Sequence, residues 1–215
     1  MWYEEKGDYG VALTHFLKGA SINKKNSNIY NHRYDLAESY VNIGLIFADT
    51  DKYDRALVYY KMALRLYEEM NVPEGQGSCY TNIGEMYMYK GLFNKSIENY
   101  SKALVIDNKM NDIQGLGIDY NIIGELYYKL GDYGKALENF EKSLPIREEL
   151  GNGIYISETL VNLGQVYYRL KDLENSLKYL KNALEIGKEI GKERCIFNYD
   201  EIEKLVKQVE SQTSK

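Results

Sequence analysis

Residues 40–47 of this chain read YVNIGLIF, and the same pattern returns three times at a spacing of 40 residues. The later copies read YTNIGEMY at 80–87, YNIIGELY at 120–127 and LVNLGQVY at 160–167. In every copy a glycine is followed three residues later by an aromatic residue. Four copies in a fixed register indicate a stack of structural units, because a single unit of this size cannot bury its apolar face alone.

The spacing of the large residues predicts that each repeat consists of two helices. In the first repeat, Tyr40, Ile43 and Phe47 fall at i, i+3 and i+7, on one helical stripe. Small, large and small residues recur after each glycine: Ala56, Tyr60, Ala63; Ser96, Tyr100, Ala103; Ala136, Phe140, Ser143; Ser176, Leu180, Ala183. A glycine inside a helix costs about 1 kcal/mol relative to alanine. Its recurrence therefore predicts that two helices approach each other there too closely for a side chain.

Antiparallel helix pairs of equal size stack into a superhelix. We therefore expect an all-α fold, a right-handed α-solenoid, as one domain over residues 1–215. Its expected parts are a half repeat at 8–22, full repeats at 35–70, 75–110, 115–150 and 155–190, and a capping helix at 194–211. The capping helix is expected to bury Ile196, Ile202, Leu205, Val206 and Val209. Gly131 is expected to end a helix, and Asp51, Asp132 and Asp172 to begin helices.

The beginning of the chain repeats part of a later unit. GDYGVAL at 7–13 parallels GDYGKAL at 131–137, so residues 8–22 correspond to a second helix without its first helix. Either this chain is a piece of a longer protein, or an apolar N-terminal edge must be covered by another molecule. The polar segment 23–31 is expected to form a mobile loop.

Composition excludes several classes of function. The net charge is −5 and bases alternate with acids, so the chain lacks the basic surface of a nucleic-acid-binding protein. It contains no apolar run long enough to span a membrane and no signal peptide, so we expect a soluble cytoplasmic protein. Its two histidines and two cysteines show no metal-ligand or catalytic spacing. We therefore expect no metal, no cofactor, no catalytic residues and no enzymatic activity.

The first half of each copy resembles the tetratricopeptide consensus W-x2-L-G-x2-Y, and the second half resembles its A-x3-F element. Tyr40-x2-Ile43-Gly44-x2-Phe47 and Tyr80-x2-Ile83-Gly84-x2-Tyr87 show the match most clearly. The 40-residue period is similar to repeats of kinesin light chains and of bacterial sensory and regulatory proteins. The resemblance implies that the first helices line a concave groove that binds a peptide or protein segment, in the sensory or signalling part of a larger regulator.

Under this resemblance, the groove is lined by the helical stripe opposite the Ile-Gly-aromatic stripe. The expected groove residues are Glu38, Asn42, Leu45, Asn82, Glu85, Tyr89, Asn121, Glu125, Tyr128, Lys129, Asn162, Gln165, Tyr168 and Arg169. The surface holds more acids than bases, and its bases lie at the C-terminal end. A ligand with a basic stretch toward the N-terminal side would fit.

Asn42, Asn82 and Asn162 recur at one helical phase, although asparagine is a mediocre helix former. An amide donates and accepts, so it can pair with the backbone of an extended peptide. The third repeat departs from this pattern, with Ile122 at the position and Asn121 beside it. The alternative is that these side chains only bridge neighbouring helices.

The leading hypothesis for the whole chain is a binding scaffold of undetermined oligomeric state. Its alternative is self-assembly through the N-terminal edge.

Overall fold

The structure is a computed structural model, and it describes residues 14–16, 18–19, 21 and 30–213. Residues 30–213 form nine α-helices and one short 3-10 helix, without a β-strand. The α-helices are α1 (Tyr30–Asp49), α2 (Tyr53–Met70), α3 (Pro73–Tyr89), α4 (Phe93–Met110), α5 (Ile113–Leu130), α6 (Tyr133–Leu150), α7 (Gly153–Arg169), α8 (Leu173–Ile190) and α9 (Tyr199–Thr213). The 3-10 helix is Lys192–Arg194. The predicted all-α class of stacked helix pairs is confirmed.

The chain divides into two compact units, Met1–Ile106 and Asp107–Lys215. In the first unit, α2 packs against both α1 and α3. The three helices share a core of buried side chains that includes Ile43, Tyr60 and Tyr67. These residues come from the apolar stripes that the 40-residue pattern predicts.

In the second unit, each helix from α5 to α9 packs against the next one along the chain. Phe140 and Leu163 belong to one buried cluster, and Leu180 and Val206 belong to another. The end helix α9 covers the apolar face of α8. This unit carries the site described below.

The recurring glycines lie where the paired helices are closest. A Cβ atom at Gly44 would be 2.5 Å from the ring of Tyr60, and one at Gly164 would be 2.5 Å from Leu180. The predicted close approach is confirmed. The serines at the next small position add a hydrogen bond that the sequence did not reveal. Ser96 Oγ donates to the Gly84 carbonyl at 2.7 Å, and Ser176 Oγ donates to the Gly164 carbonyl at 2.8 Å.

Three of the four residues that were predicted to end or begin helices do so in the structure. Gly131 ends α5 in the left-handed region, at φ 79°. Asp132 and Asp172 cap α6 and α8 by accepting from the amides of Lys135 and Asn175. The expectation for Asp51 was wrong. Asp51 itself takes the left-handed conformation that ends α1, at φ 57°, so Lys52 is the residue that precedes α2.

The first helix begins earlier than predicted, at Tyr30 rather than residue 35. Residues 30 and 31 of the expected loop are therefore helical, while 23–29 lie outside the described residues. Of the half repeat at 8–22, the structure describes only 14–16, 18–19 and 21, all of them helical.

The last helix begins later than the predicted residue 194. Gly191 ends α8 at φ 95°, the 3-10 helix follows, and Cys195 is extended, so α9 starts only at Tyr199. Ile202, Val206 and Val209 are buried as predicted, and Leu205 is half-buried. Ile196 was predicted wrongly: it precedes the helix, so it is not on the apolar stripe, and it is 55 % exposed.

Candidate functional site

A cavity of about 340 Å³ lies in the second unit, between α5, α7 and the segment before α9. It is lined by Glu125, Tyr128, Lys129, Phe140, Glu158, Val161, Asn162, Gln165, Ile196 and Phe197. Five of these are predicted groove residues: Glu125, Tyr128, Lys129, Asn162 and Gln165. The structure therefore places predicted groove residues of α5 and α7, the first helices of two successive repeats, around one cavity.

The 40-residue period explains this convergence. Glu125 and Gln165 occupy the same place in successive repeats, and Tyr128 and Lys129 lie one helical turn after Glu125. On α7, Val161 and Asn162 lie one turn before Gln165. Asn162 Nδ2 donates to Glu125 Oε1 at 3.2 Å, and this hydrogen bond connects α7 with α5 at the cavity wall.

A buried polar network lies beside the cavity. Asn121 is 1 % exposed, and its Nδ2 donates to Glu125 Oε1 at 2.8 Å. Its Oδ1 accepts from Thr159 Oγ1 at 3.1 Å and from Asn162 Nδ2 at 3.3 Å. In this unit the amides of Asn121 and Asn162 thus connect α5 with α7, which is the arrangement of the bridging alternative.

The carboxylate of Glu125 lies in an unfavourable environment for its charge. Burial and the nearby carboxylate of Glu158 raise its pKa. The amides of Asn162 and Asn121 and the charge of Lys129 act in the opposite direction. A cationic group placed in this cavity would compensate the Glu125 carboxylate, so the site is suited to a basic side chain.

Arg147 positions Glu158 at the edge of the cavity. The Arg147 side chain is only 5 % exposed, and its Nη1 donates to Glu158 Oε2 at 2.8 Å. The same nitrogen lies 2.9 Å from the Tyr155 carbonyl and 2.8 Å from Thr159 Oγ1. Sequence reasoning missed this residue because a single arginine in a helix is typical of a solvated surface. The available signal was its register: Arg147 is equivalent to Tyr67, which is buried.

Phe197 and Ile196 were also missed as cavity residues. Sequence reasoning assigned this segment to a regular capping helix, whereas the 3-10 helix and the extended Cys195 redirect the chain there. Both side chains reach the cavity and contribute apolar surface next to Val161.

The remaining predicted residues of the second unit are held by other contacts. Tyr168 Oη accepts from Gln208 Nε2 of α9 at 3.0 Å. Arg169 Nε donates to Tyr133 Oη of α6 at 2.9 Å. Neither residue lines the cavity as described.

The predicted groove residues of the first unit lie on α1 and α3. Glu38 accepts from Tyr67 Oη at 3.0 Å. Tyr89 Oη donates to Glu85 at 3.1 Å, and the Tyr89 ring stacks on Tyr53. Leu45 is exposed, while Asn42 and Asn82 are half-buried.

Family models describing the tetratricopeptide repeat match the sequence over residues 36–74, 77–149 and 157–187. This chain belongs to the tetratricopeptide repeat family. The matched ranges include α5, α6 and most of α7, so the cavity is built mainly from tetratricopeptide repeats. No curated protein sequence matches the chain.

Several solved tetratricopeptide structures share this fold. The apo form of RapI is similar with a TM-score of 0.77 at 17 % identity, over 88 % of this chain and 68 % of that chain. The kinesin light chain-like repeats of Podosopora anserina give 0.72 at 13 % identity, over 87 % and 91 %. The apo form of the quorum sensor NprR from B. thuringiensis gives 0.68 at 20 % identity, over 85 % and 50 %. At these identities the similarity establishes the fold alone.

In the part of the chain that is described, no helix combines the length and apolar character needed to cross a membrane. Within the same residues, no group of three or more His, Cys, Asp and Glu side chains is placed to hold a metal ion.

Proposed function

We propose that this chain is a non-catalytic scaffold that binds an extended segment of a peptide or protein along its first helices. The observation that carries the proposal is the cavity between α5 and α7. Its lining includes groove residues expected from the repeat pattern, and it has a volume within the range of roughly 300–1,000 Å³ typical of ligand sites.

The chemistry of the cavity favours a basic side chain flanked by apolar groups. Glu125 supplies negative charge, the charge of Glu158 is paired with Arg147, and Lys129 supplies one positive charge at the rim. Tyr128, Val161 and Phe197 supply apolar and aromatic surface. A lysine or arginine of the bound segment would place its charge near the carboxylates and its aliphatic stem against these walls.

The structural neighbours support a sensory role. NprR is a quorum sensor, and a second neighbour is a signal-transduction ATPase from Pyrococcus horikoshii with a tetratricopeptide repeat sensor. We extend the proposal to a sensory or signalling part of a larger regulator that acts in the cytoplasm. The alternative of self-assembly depends on residues 8–22, most of which lie outside the described residues.

Selection from a random-peptide display library tests the proposal with the full chain as bait. Gln165→Trp places a large side chain into the cavity, while Asn182→Trp places the same side chain on the exposed face of α8. Peptides selected on the unmodified chain are expected to contain basic residues and to lose at least about tenfold in affinity for Gln165→Trp. Asn182→Trp should bind them normally.

Thermal unfolding followed by circular dichroism shows whether both variants remain folded. The proposal is wrong if the selected peptides bind Gln165→Trp as tightly as Asn182→Trp. It is also wrong if repeated selections enrich no peptide on the folded chain.

A further inference from the structure

The two oxygen atoms of the Glu125 carboxylate in the binding cavity have different surroundings. Glu125 Oε1 accepts from Asn121 Nδ2 at 2.8 Å and from Asn162 Nδ2 at 3.2 Å. Glu125 Oε2 accepts no hydrogen bond from the described residues, and it is not one of their enclosed atoms without a partner. This oxygen therefore keeps accessible surface, on a side chain that lines the cavity.

The carboxylate of Glu158 is divided in the same way. Its Oε2 accepts from Arg147 Nη1 at 2.8 Å. Its Oε1 has no hydrogen-bond partner within the part of the chain that the structure describes, and the side chain is 19 % exposed. Burial and then the charge of Glu158 raise the pKa of Glu125, so the two carboxylates lie close together. The cavity thus offers one free acceptor oxygen from each of two neighbouring carboxylates.

This division matters because arginine and lysine bind carboxylates differently. The guanidinium of arginine is a planar fork that pairs with both oxygens of one carboxylate. At Glu125, such a pair would have to displace the amides of Asn121 and Asn162. At Glu158, it would have to displace Arg147. The paired geometry that favours arginine is therefore blocked at both carboxylates.

Stacking on an aromatic ring, the second arrangement that favours arginine, is also restricted in this cavity. Tyr128 lines the cavity, but the guanidinium carbon of Arg169 already lies 5.9 Å from the centre of its ring. Phe197 stacks on Tyr199, with 6.4 Å between the ring centres. Phe140 is 1 % exposed, so its ring is out of reach of a stacked group. The protein's own side chains thus cover much of the aromatic surface.

Lysine needs neither of these arrangements. Its ammonium group is a compact charge whose N–H donors point in separate directions. Two of these donors match the single free oxygens, Glu125 Oε2 and Glu158 Oε1, without displacing a hydrogen bond of the protein. The aliphatic stem of the lysine packs against the apolar wall at Val161.

We propose that the cavity selects lysine over arginine in the bound segment, with the ammonium group donating to Glu125 Oε2 and Glu158 Oε1. This inference rests on the proposed function, because it concerns the basic side chain of the same ligand. It adds a choice between two side chains of equal charge, which the charge of the cavity alone does not make.

Competitive selection on the full chain tests the inference. Two peptide display libraries, identical except for a fixed central lysine or arginine, are mixed in equal amounts. We expect the enriched peptides to come predominantly from the lysine library. Synthetic versions of these peptides in which arginine replaces the central lysine should bind at least about fivefold more weakly in fluorescence polarisation, because hydrogen bonds to charged oxygens are lost.

A modified lysine separates hydrogen bonding from charge. Nε-trimethyllysine at the central position keeps the positive charge and the aliphatic stem but has no N–H donor. We expect its affinity to fall at least about fivefold as well.

A matched pair of variants locates the preference. Glu125→Gln removes the charged acceptor and should reduce the lysine preference to less than about twofold. Glu174→Gln makes the same exchange at an exposed position of α8 and should keep the preference. Thermal unfolding shows whether both variants are folded, and the arginine and trimethyllysine peptides test the inference on the unmodified chain.

The inference is overturned if arginine peptides are enriched as strongly as lysine peptides, or if trimethyllysine binds as tightly as lysine. It is also overturned if folded Glu125→Gln keeps the full preference. In these three cases the chain still binds basic peptides, so the proposed function is not contradicted. If neither library yields a peptide, the proposed function and this inference fail together.

Discussion

Gly124 lies directly against the ring of Phe140, so that a Cβ atom at Gly124 would be 2.6 Å from Phe140 Cε1. This distance is far inside ordinary carbon–carbon contact. The contact occurs inside the second unit, where α5 and α6 pair. It shows why glycine recurs at this position of the repeat.

We expect Gly124→Ala to destabilise the protein by about 2 kcal/mol, although alanine is the better helix former. Phe140 is fully buried and cannot move away without displacing its neighbours. Gly134→Ala is the matched control, since its added Cβ would meet only Asp132 Oδ1 at 3.9 Å. That variant should be stabilised by about 0.5 kcal/mol. Urea unfolding measures both, and equal effects would contradict the packing argument.

Arg147→Ala should cost about 3 kcal/mol of unfolding free energy. The substitution removes a buried ion pair with Glu158 and leaves its other α7 acceptors without their donor. Lys142→Ala breaks an exposed ion pair with Glu138 on the same helix and should cost less than about 0.5 kcal/mol. Chemical denaturation of the two variants distinguishes them. A loss below about 1 kcal/mol for Arg147→Ala would show that the buried pair contributes little.

Stability should fall as the pH rises through the titration of Asp119. Burial, followed by the nearby carboxylates of Asp107 and Asp112, raises the pKa of Asp119 from 3.8 to about 8. Because the folded pKa exceeds the unfolded one, the folded state binds the proton more tightly. The group therefore destabilises the fold progressively between pH 4 and pH 8.

Asp119→Asn removes this penalty. We expect it to stabilise the protein by about 2 kcal/mol or more at pH 9 and to have little effect near pH 4. The exposed Asp35→Asn serves as the control, and melting temperatures across this pH range provide the measurement. A gain that is the same at both ends of the range would show that Asp119 ionisation is not the cause.

The two cysteines should differ sharply toward iodoacetamide. Cys79 is fully buried, and burial raises the pKa of its thiol to about 12. Cys195 is partly exposed, and burial raises its pKa more modestly. At pH 8 the native protein is expected to be alkylated at Cys195 while Cys79 reacts only at the rate of unfolding. Mass spectrometry of timed digests checks this, and rapid native labelling of Cys79 would contradict its described burial.

The fold was predictable because its determinants repeat. Gly44 and its three equivalents identify the helix contacts, and the apolar stripes around them identify the core. Single-copy features were harder to predict. Asp51 resembles a helix N-cap in the sequence, but the chain needs it in the left-handed turn that closes α1. Ile196 has the apolar character of a capping residue, yet the 3-10 helix and the extended Cys195 leave it before the start of α9 at Tyr199.

The candidate site was predictable only where it follows the period. Glu125, Asn162 and Gln165 were identified from their register. Arg147 and Phe197 were not, because their roles depend on which residues of another helix face them. A charged side chain in a helix carries no local signal of burial, and the partners of Arg147 lie up to 12 residues away along the chain.

Residues 67, 107, 147 and 187 hold the same place in four successive repeats but are Tyr, Asp, Arg and Gly. Three of them have different neighbours: Tyr67 donates to Glu38, Arg147 donates to α7, and a Cβ atom added at Gly187 would lie 3.0 Å from Cys195 Sγ and 3.1 Å from the Tyr199 ring. The repeats are consequently not interchangeable. Exchanging the repeats at 115–150 and 155–190 would put an arginine side chain where even an added Cβ atom is tightly packed against Tyr199, so the junctions of these units favour their present order along the chain.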